Sequence, residues 1–517
     1  MESIDADVAA KEGLQKLGYK QEMTRTRGLV HILFNDPPPK VIAAYGLVAP
    51  IDTSLAGGGP VVMLWGWILV SALTQALALS LAEICSKYPT SAGAYYWCFR
   101  LASPKYRLLL SWINGWLTMV GVWTVSLSVV FGTAQLVVAG AGVYYPEWTV
   151  TPWQTYVIFL GVTAIALVFC LFLNTHLPTI DIICACWTCL VILVCLSVKA
   201  AAGRRSVSFV LGGFDASAGW TPGWSFFIGL LPVISEHRQL GSSLIRQVAS
   251  MAEEVHDPSR ILPQAMTWSV PIGTVSGVIF LLPVLFTLPD AKILLSVPSG
   301  QPVGVMFTLV MGSQAGGFGL WFIIFGIGLF CAISISCAAS RATWAFARDK
   351  AIPFHTHFSK VSPRLSAVPV NALFLSTIIQ VALGLIYLGS STAFNAFVGV
   401  AVMCLGASYA MPVVISLMNG RKDMRDAPFC LGRAGMTVNV VAVLWVVFSI
   451  VLFSMPAVVP VTRVTMNYAS VVFVAFGAIS GVWYMIHGRY HYTGPPVPED
   501  TADTQSSESS SAPSKLD

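Results

Sequence analysis

The chain is a succession of about a dozen apolar stretches, each near the roughly 20 residues that a helix needs to cross a bilayer, and that repetition leaves few folds open. The spans fall at roughly 41–58, 60–82, 111–141, 154–173, 180–202 and 223–250, then at 264–288, 318–345, 368–388, 393–418, 437–458 and 468–487. Composition agrees, since 56% of the 517 residues are hydrophobic and 10% are charged, with a mean hydropathy of +0.73. So few charges cannot cover a water-facing surface around so much apolar mass. The expectation is an all-α polytopic membrane protein embedded in a lipid bilayer.

Most of the 29 Lys and Arg residues lie in the loops of one side. They cluster at Arg25 and Arg27, at Arg100, Lys105 and Arg107, at Arg341, Arg348 and Lys350, and at Arg421, Lys422 and Arg425. The positive-inside bias makes that side the cytoplasm, and an even number of spans puts both termini there. The net charge of +5 is then a matter of topology and calls for no nucleic-acid partner. Residues 1–28 are expected to form a cytoplasmic tail and 29–490 the transmembrane domain. Residues 491–517, rich in Pro, Ser and acids, are expected to form a disordered cytoplasmic tail. No apolar run followed by a small-residue cleavage site opens the chain, so no removable signal is expected.

The 11 cysteines sit in or near spans or on the basic side, which argues against a disulfide framework. Cys184, Cys186 and Cys189 do not share a helical face, and no metal or other cofactor is expected. Neither a phosphate-binding loop, a Gly-x-Ser-x-Gly elbow nor an HExxH pair is present, so the chain does not read as an enzyme.

Two spans are broken where their neighbours run clean. The first carries Pro50, Asp52, Thr53 and Ser54 and then Gly57, Gly58, Gly59 and Pro60, a run that resists continuous helix. The sixth follows WSFFIGLLP with VISEHRQLGSSLIRQV, placing Glu236, His237, Arg238 and Arg246 where an apolar helix should cross. Broken helices at membrane depth are tolerated where they line a cavity or are buried in protein, and paired breaks in two half-repeats suggest a transporter site. Freed half-helix N-termini suit a carboxylate, and freed carbonyls suit an ammonium group. Alternatively, the triple glycine and Pro60 simply form the turn between the first two spans.

Five segments add a resemblance. SLAEICSKYPTSAGAYYW (Ser80 to Trp97), MAEEVHDPSRILPQAM (Met251 to Met266), SCAASRATWAFARDKAIPF (Ser336 to Phe354), LGSSTAFNAFVG (Leu388 to Gly399) and VPVTRVTMNY (Val459 to Tyr468) are similar, in order, to segments of fungal amino acid, GABA and choline permeases. These belong to the amino acid, polyamine and organocation superfamily. The resemblance implies a five-plus-five inverted repeat followed by two further helices, and proton-coupled uptake. It also implies that the first helix unwinds over 49–59 and the sixth near 229–243, making Ile51, Asp52, Thr53, Ser54, Gly57, Gly58 and Gly59 substrate candidates. The charged stretch around Glu236 and the FNDPPPK stretch, Phe34 to Lys40, depart from the family pattern.

Trp112, Trp116 and Trp123 share one face of the third span, and that stripe is a candidate for holding an ammonium through cation–π contact, with Trp123 deepest in the membrane. The bland reading is an interfacial aromatic belt. Ser126, Ser128, Ser334 and Ser336 suit either the cavity or close helix packing. Glu83, Glu253, Glu254, Arg341 and Arg348 are expected to meet at the inner face as gate ion pairs, and Asp52, Glu83 and Glu236 are the acids available for proton coupling. The chain therefore reads as a secondary transporter that imports a small amine-bearing solute, an amino acid or GABA, together with protons across the plasma membrane. A choline or polyamine permease, a nutrient sensor on the same fold and a channel are the alternatives.

Overall fold

The structure, a computed structural model, describes residues 51–145, 147–173, 203–215, 219–235, 255–297, 301–362, 368–456, 459–462 and 466–496, with single positions at 201 and 217, at 46, and within 11–16 and 183–194. In chain order the helices are α1 (Ile51–Gly57), α2 (Pro60–Lys87), α3 (Ala94–Leu101), α4 (Arg107–Tyr144), α5 (Pro152–Phe172), α6 (Val207–Gly212), α7 (Pro222–Gly229), α8 (Pro258–Phe286) and α9 (Ala291–Leu295). They continue as α10 (Val303–Met311), α11 (Gln314–Arg348), α12 (His355–Phe358), α13 (Val370–Gly384), α14 (Ile386–Gly389), α15 (Ser391–Met418), α16 (Gly435–Ser454), α17 (Ala469–Trp483) and α18 (Arg489–His491). Among the described residues nine helices are long and apolar enough to cross a membrane, and the stretch Pro222–Ser235 forms a shorter apolar helix. These nine fall on nine of the twelve expected spans.

Helix lengths repeat across the two halves. The 28 residues of α2 are followed by the short α3, the 38 residues of α4 and the 21 of α5. In the second half the 29 residues of α8 are followed by the short α9 and α10, the 35 of α11 and the 20 of Val370–Gly389. Corresponding helices pack antiparallel. Trp67 Nε1 donates to the Thr274 carbonyl at 3.1 Å and, two turns on along α2, Gln75 Nε2 reaches back to Thr267 O at 3.1 Å. In the α4–α11 pair, Trp123 donates to Thr343 Oγ1 at 3.1 Å and Trp321 to the Leu136 carbonyl at 2.7 Å. Corresponding helices of the two halves thus run antiparallel, as an inverted repeat requires.

Glycine lets these helices approach. The Trp67 indole, fully buried, lies on Gly277 of α8, and the Trp321 ring lies on Gly140 of α4; a side chain at either glycine would overlap the indole. In hydrocarbon, where lipid tails are as apolar as leucine, such close packing and the indole–carbonyl bonds supply the attraction between helices.

Beyond the boundary expected at 490, the described residues run on to 496. Tyr492 is 4% exposed, its hydroxyl lies 2.9 Å from Ser111 Oγ, and its ring meets Trp112 edge to face at 5.1 Å. Residues 497–517 lie outside the described residues.

Candidate functional site

The two broken spans meet. α1 and α7 touch through Gly57 and Gly229: a Cβ on Gly229 would lie 3.0 Å from the Gly57 Cα and 2.9 Å from Val62 Cγ1. Two buried serines then exchange bonds across the contact. Ser54 Oγ donates to the Gly229 carbonyl at 3.2 Å, and Ser225 Oγ donates to the Gly57 carbonyl at 2.8 Å. Both acceptors sit at helix ends, where the last carbonyls have no partner in their own helix. The Ala56 carbonyl, in the same last turn, accepts from the Ser217 amide at 3.0 Å.

The expected unwinding over 49–59 is corrected. Ile51–Gly57 is helical, and the chain leaves the helix at Gly58 and Gly59. Gly59 has φ +67, a left-handed conformation that glycine adopts without a Cβ penalty, and Pro60 opens α2 with the fixed φ that suits a first helical turn. The alternative reading of the glycine run, a turn between two spans, is the observed one. Gly57, Gly58 and Gly59 are thereby occupied in packing and turning. Residues 47–50 lie outside the described residues. In the sixth span the chain makes a turn at Leu230 and is helical again to Ser235; Glu236, His237, Arg238 and Arg246 lie outside the described residues.

Of the other candidates, Ile51 is fully buried, Ser54 is committed to Gly229 and Thr53 is half-buried. The Asp52 backbone is helical, while its side chain lies outside the described residues. Trp123 lies apart from the contact between α1 and α7. Its indole bonds to Thr343 of α11, and its ring lines a cavity made by α4, α13 and α17, to which neither α1 nor α7 contributes. The tryptophan stripe is shared between α11, where Trp116 packs on Phe346 at 5.7 Å, and the last helices. Trp112 donates to the Ser480 carbonyl at 3.1 Å and packs on Trp116, Tyr484 and Tyr492. Trp112 thus helps dock the end of the chain, and an interhelical apolar seam has the same spacing as an aromatic binding face. Ser126 likewise serves packing, accepting from Gln380 Nε2 at 2.7 Å, and Ser336 bonds the Ala332 carbonyl of its own helix.

The basic ends of the helices converge. Glu83, fully buried near the end of α2, accepts from Arg421 Nη2 at 2.6 Å and from the Leu431 amide at 2.9 Å, through one carboxylate oxygen. Its other oxygen is buried with no hydrogen-bond partner among the described residues. Glu83 was expected to pair with the bases after the eighth span; its observed partner lies instead in the loop between α15 and α16, where Arg421 had been read only as topological charge. Arg348 donates to Ser91 Oγ at 3.1 Å and stacks 4.7 Å over Trp344. Next to it, Asp349 accepts from the Tyr95 hydroxyl at 2.8 Å. Burial, reinforced by the Asp349 carboxylate, holds the Tyr95 hydroxyl well above the usual tyrosine range. Arg341 is half-buried on α11, and Glu253 and Glu254 lie outside the described residues.

Two halves whose corresponding helices pack antiparallel, with α1 and α7 clasped end to end between them, have the architecture of a multi-pass membrane transporter of the LeuT-like class. The amino acid permease family model matches residues 28–476, and the chain belongs to that family. It is a transporter and not an enzyme. It is 32% identical to the amino-acid permease BAT1 of Arabidopsis thaliana over 93% of this chain and 95% of that one. It is 33% identical to the polyamine transporter TPO5 of Saccharomyces cerevisiae over 89% of this chain and 76% of that one. A choline transporter of the same yeast is 29% identical over 87% and 79%.

Proposed function

We propose that the chain imports a small amine-bearing solute, an amino acid or GABA, across the plasma membrane by proton symport, with both termini in the cytoplasm. The observation that carries this reading is the clasp between α1 and α7. It joins α1 and α7 into one unit beside Ile51, Asp52, Thr53 and Ser54, where the solute would bind. α1, α2, α7 and α8 form one connected body through the Gly57–Gly229 and Trp67–Gly277 contacts, while α4, α5, α11 and α13 form another. Rocking of one against the other would expose the site to each side in turn. The Glu83–Arg421 pair ties the first body to the α15–α16 loop and is suited to break and reform during the cycle. Glu83 would couple to the proton, with Glu236, Glu253 and Arg341 as the further gate candidates.

The relatives named as polyamine and choline transporters support a second reading, in which the amine belongs to one of those solutes. The discriminating test is uptake of radiolabelled GABA, neutral amino acids, choline and polyamines by cells expressing the full chain, with and without a protonophore. Accumulation of GABA or an amino acid, abolished by the protonophore, is expected. Accumulation of choline or a polyamine alone selects the second reading; insensitivity to the protonophore removes symport. Signalling without flux would identify a sensor.

A further inference from the structure

Two thiols meet where the last turn of α5 packs on α11. Cys170 Sγ donates to the Ile333 carbonyl at 3.6 Å and shares a hydrogen bond with the Cys337 thiol. The two contacts agree with each other. Cys337 lies one turn beyond Ile333, and a helical side chain leans back over the turn before its own Cα, which carries the Cys337 sulfur toward the same carbonyl. Both residues are free thiols in the structure.

Their surroundings are apolar. Ala166, Ile333, Val368 and Leu373 pack about the pair, and such a shell accepts a neutral disulfide without desolvating a polar group. The Ile333 carbonyl, inside α11, keeps its helical partner if the thiol turns away from it. Access is unequal, since Cys170 is 2% exposed whereas Cys337 is half-buried. The Arg341 guanidinium, one further turn along α11, interacts with the Cys170 thiol. A fixed cation beside two thiols favours the thiolate, the form that attacks.

We propose that Cys170 and Cys337 are a redox modification site, at which hydrogen peroxide forms a disulfide between α5 and α11. Cys337, the more exposed, attacks as its thiolate: an S–O bond forms, the O–O bond breaks, and the departing hydroxide takes up the thiol proton to become water. Cys170 then attacks the sulfenic sulfur. The S–S bond forms, the S–O bond breaks, and a second water leaves with the Cys170 proton. Two thiols thus lose two electrons to one peroxide, which is small and uncharged enough to reach a half-buried sulfur. The resulting staple joins helices that are remote in the chain and already packed together.

The test is treatment of the purified full chain with hydrogen peroxide, followed by blocking of the remaining thiols, digestion without reductant and mass spectrometry. A linked peptide containing Cys170 and Cys337 is expected, and dithiothreitol should abolish it. The thermal midpoint should rise with the link and fall back on reduction. In Cys170→Ser, oxidation of Cys337 should stop at the sulfenic acid, which dimedone traps; in Arg341→Gln the link should form more slowly. If the variants fail to fold, the peptide map of the unaltered chain still decides. Exposed Cys430 is the internal reference. Intact thiols at both positions when Cys430 is oxidised, a link from either cysteine to a different one, or sulfinic acid at Cys337 with Cys170 unlinked would each overturn the proposal.

Discussion

Gly57 and Gly229 lie backbone to backbone, and the serine on each side of the contact donates to the glycine carbonyl on the other. Two helix ends that would otherwise present unpaired carbonyls in a membrane thus satisfy each other.

Gly57→Val should damage the fold beyond the about 1–3 kcal/mol typical of overpacking, because an added Cβ would overlap the Gly229 backbone, which cannot rotate away. A lowered thermal midpoint on size-exclusion chromatography, or loss of the monodisperse peak, is the expected result. Gly161→Ala in α5, where an added Cβ meets nothing within 4 Å, should leave the midpoint unchanged. Ser54→Ala should cost about 1–3 kcal/mol by orphaning the Gly229 carbonyl.

Arg421→Ala should be more destabilising than Glu83→Gln. The first leaves a fully buried carboxylate without its cation, a loss of about 3–5 kcal/mol for a buried pair, whereas the second removes the charge along with the need for it. Guanidinium-free double variants, such as Glu83→Gln with Arg421→Met, should recover part of the loss. Thermal unfolding of the four proteins in one detergent measures this, and equal midpoints for the two single variants would contradict the buried geometry.

Tyr95→Phe should lower stability by about 1–3 kcal/mol, the range for a hydrogen bond to a charged group and for the acceptor left behind. The folded hydroxyl titrates above its unfolded value near 10. Its contribution is therefore intact below that value and declines only as pH rises through the alkaline range. The difference between the two proteins should accordingly stay flat from about pH 6 to pH 9 as far as Tyr95 is concerned.

Tyr492→Ala should loosen the seat of the last helix, with a cost of about 3 kcal/mol, the lower end for deleting a buried aromatic ring. Tryptophan fluorescence should report it through Trp112, whose indole packs on the tyrosine.

Nine spans, the basic face and the family were legible in the residues, because hydropathy over about 20 positions and clustered Lys and Arg report directly on a bilayer. The site was less legible. A glycine run is equally consistent with an unwound span and with a turn, and only the helical state of Ile51–Gly57 separates the two. The stripe of Trp112, Trp116 and Trp123 was visible as one helical face, yet its partner was not, since periodicity says that a face is buried and never by what. Arg421 was equally visible, but its pairing with Glu83 spans most of the chain and leaves no local signature.

By itself, then, the sequence determined what the bilayer imposes: which stretches are apolar enough to cross it and which of their ends are basic. Each of these follows from a solvent acting on one segment at a time. Tertiary structure alone decided that Gly57 meets Gly229, that Glu83 meets Arg421, and that Trp112 faces the last helices. Those outcomes depend on shape and hydrogen-bond matching between segments remote in the chain, where many residue pairs are compatible in composition and few fit in space.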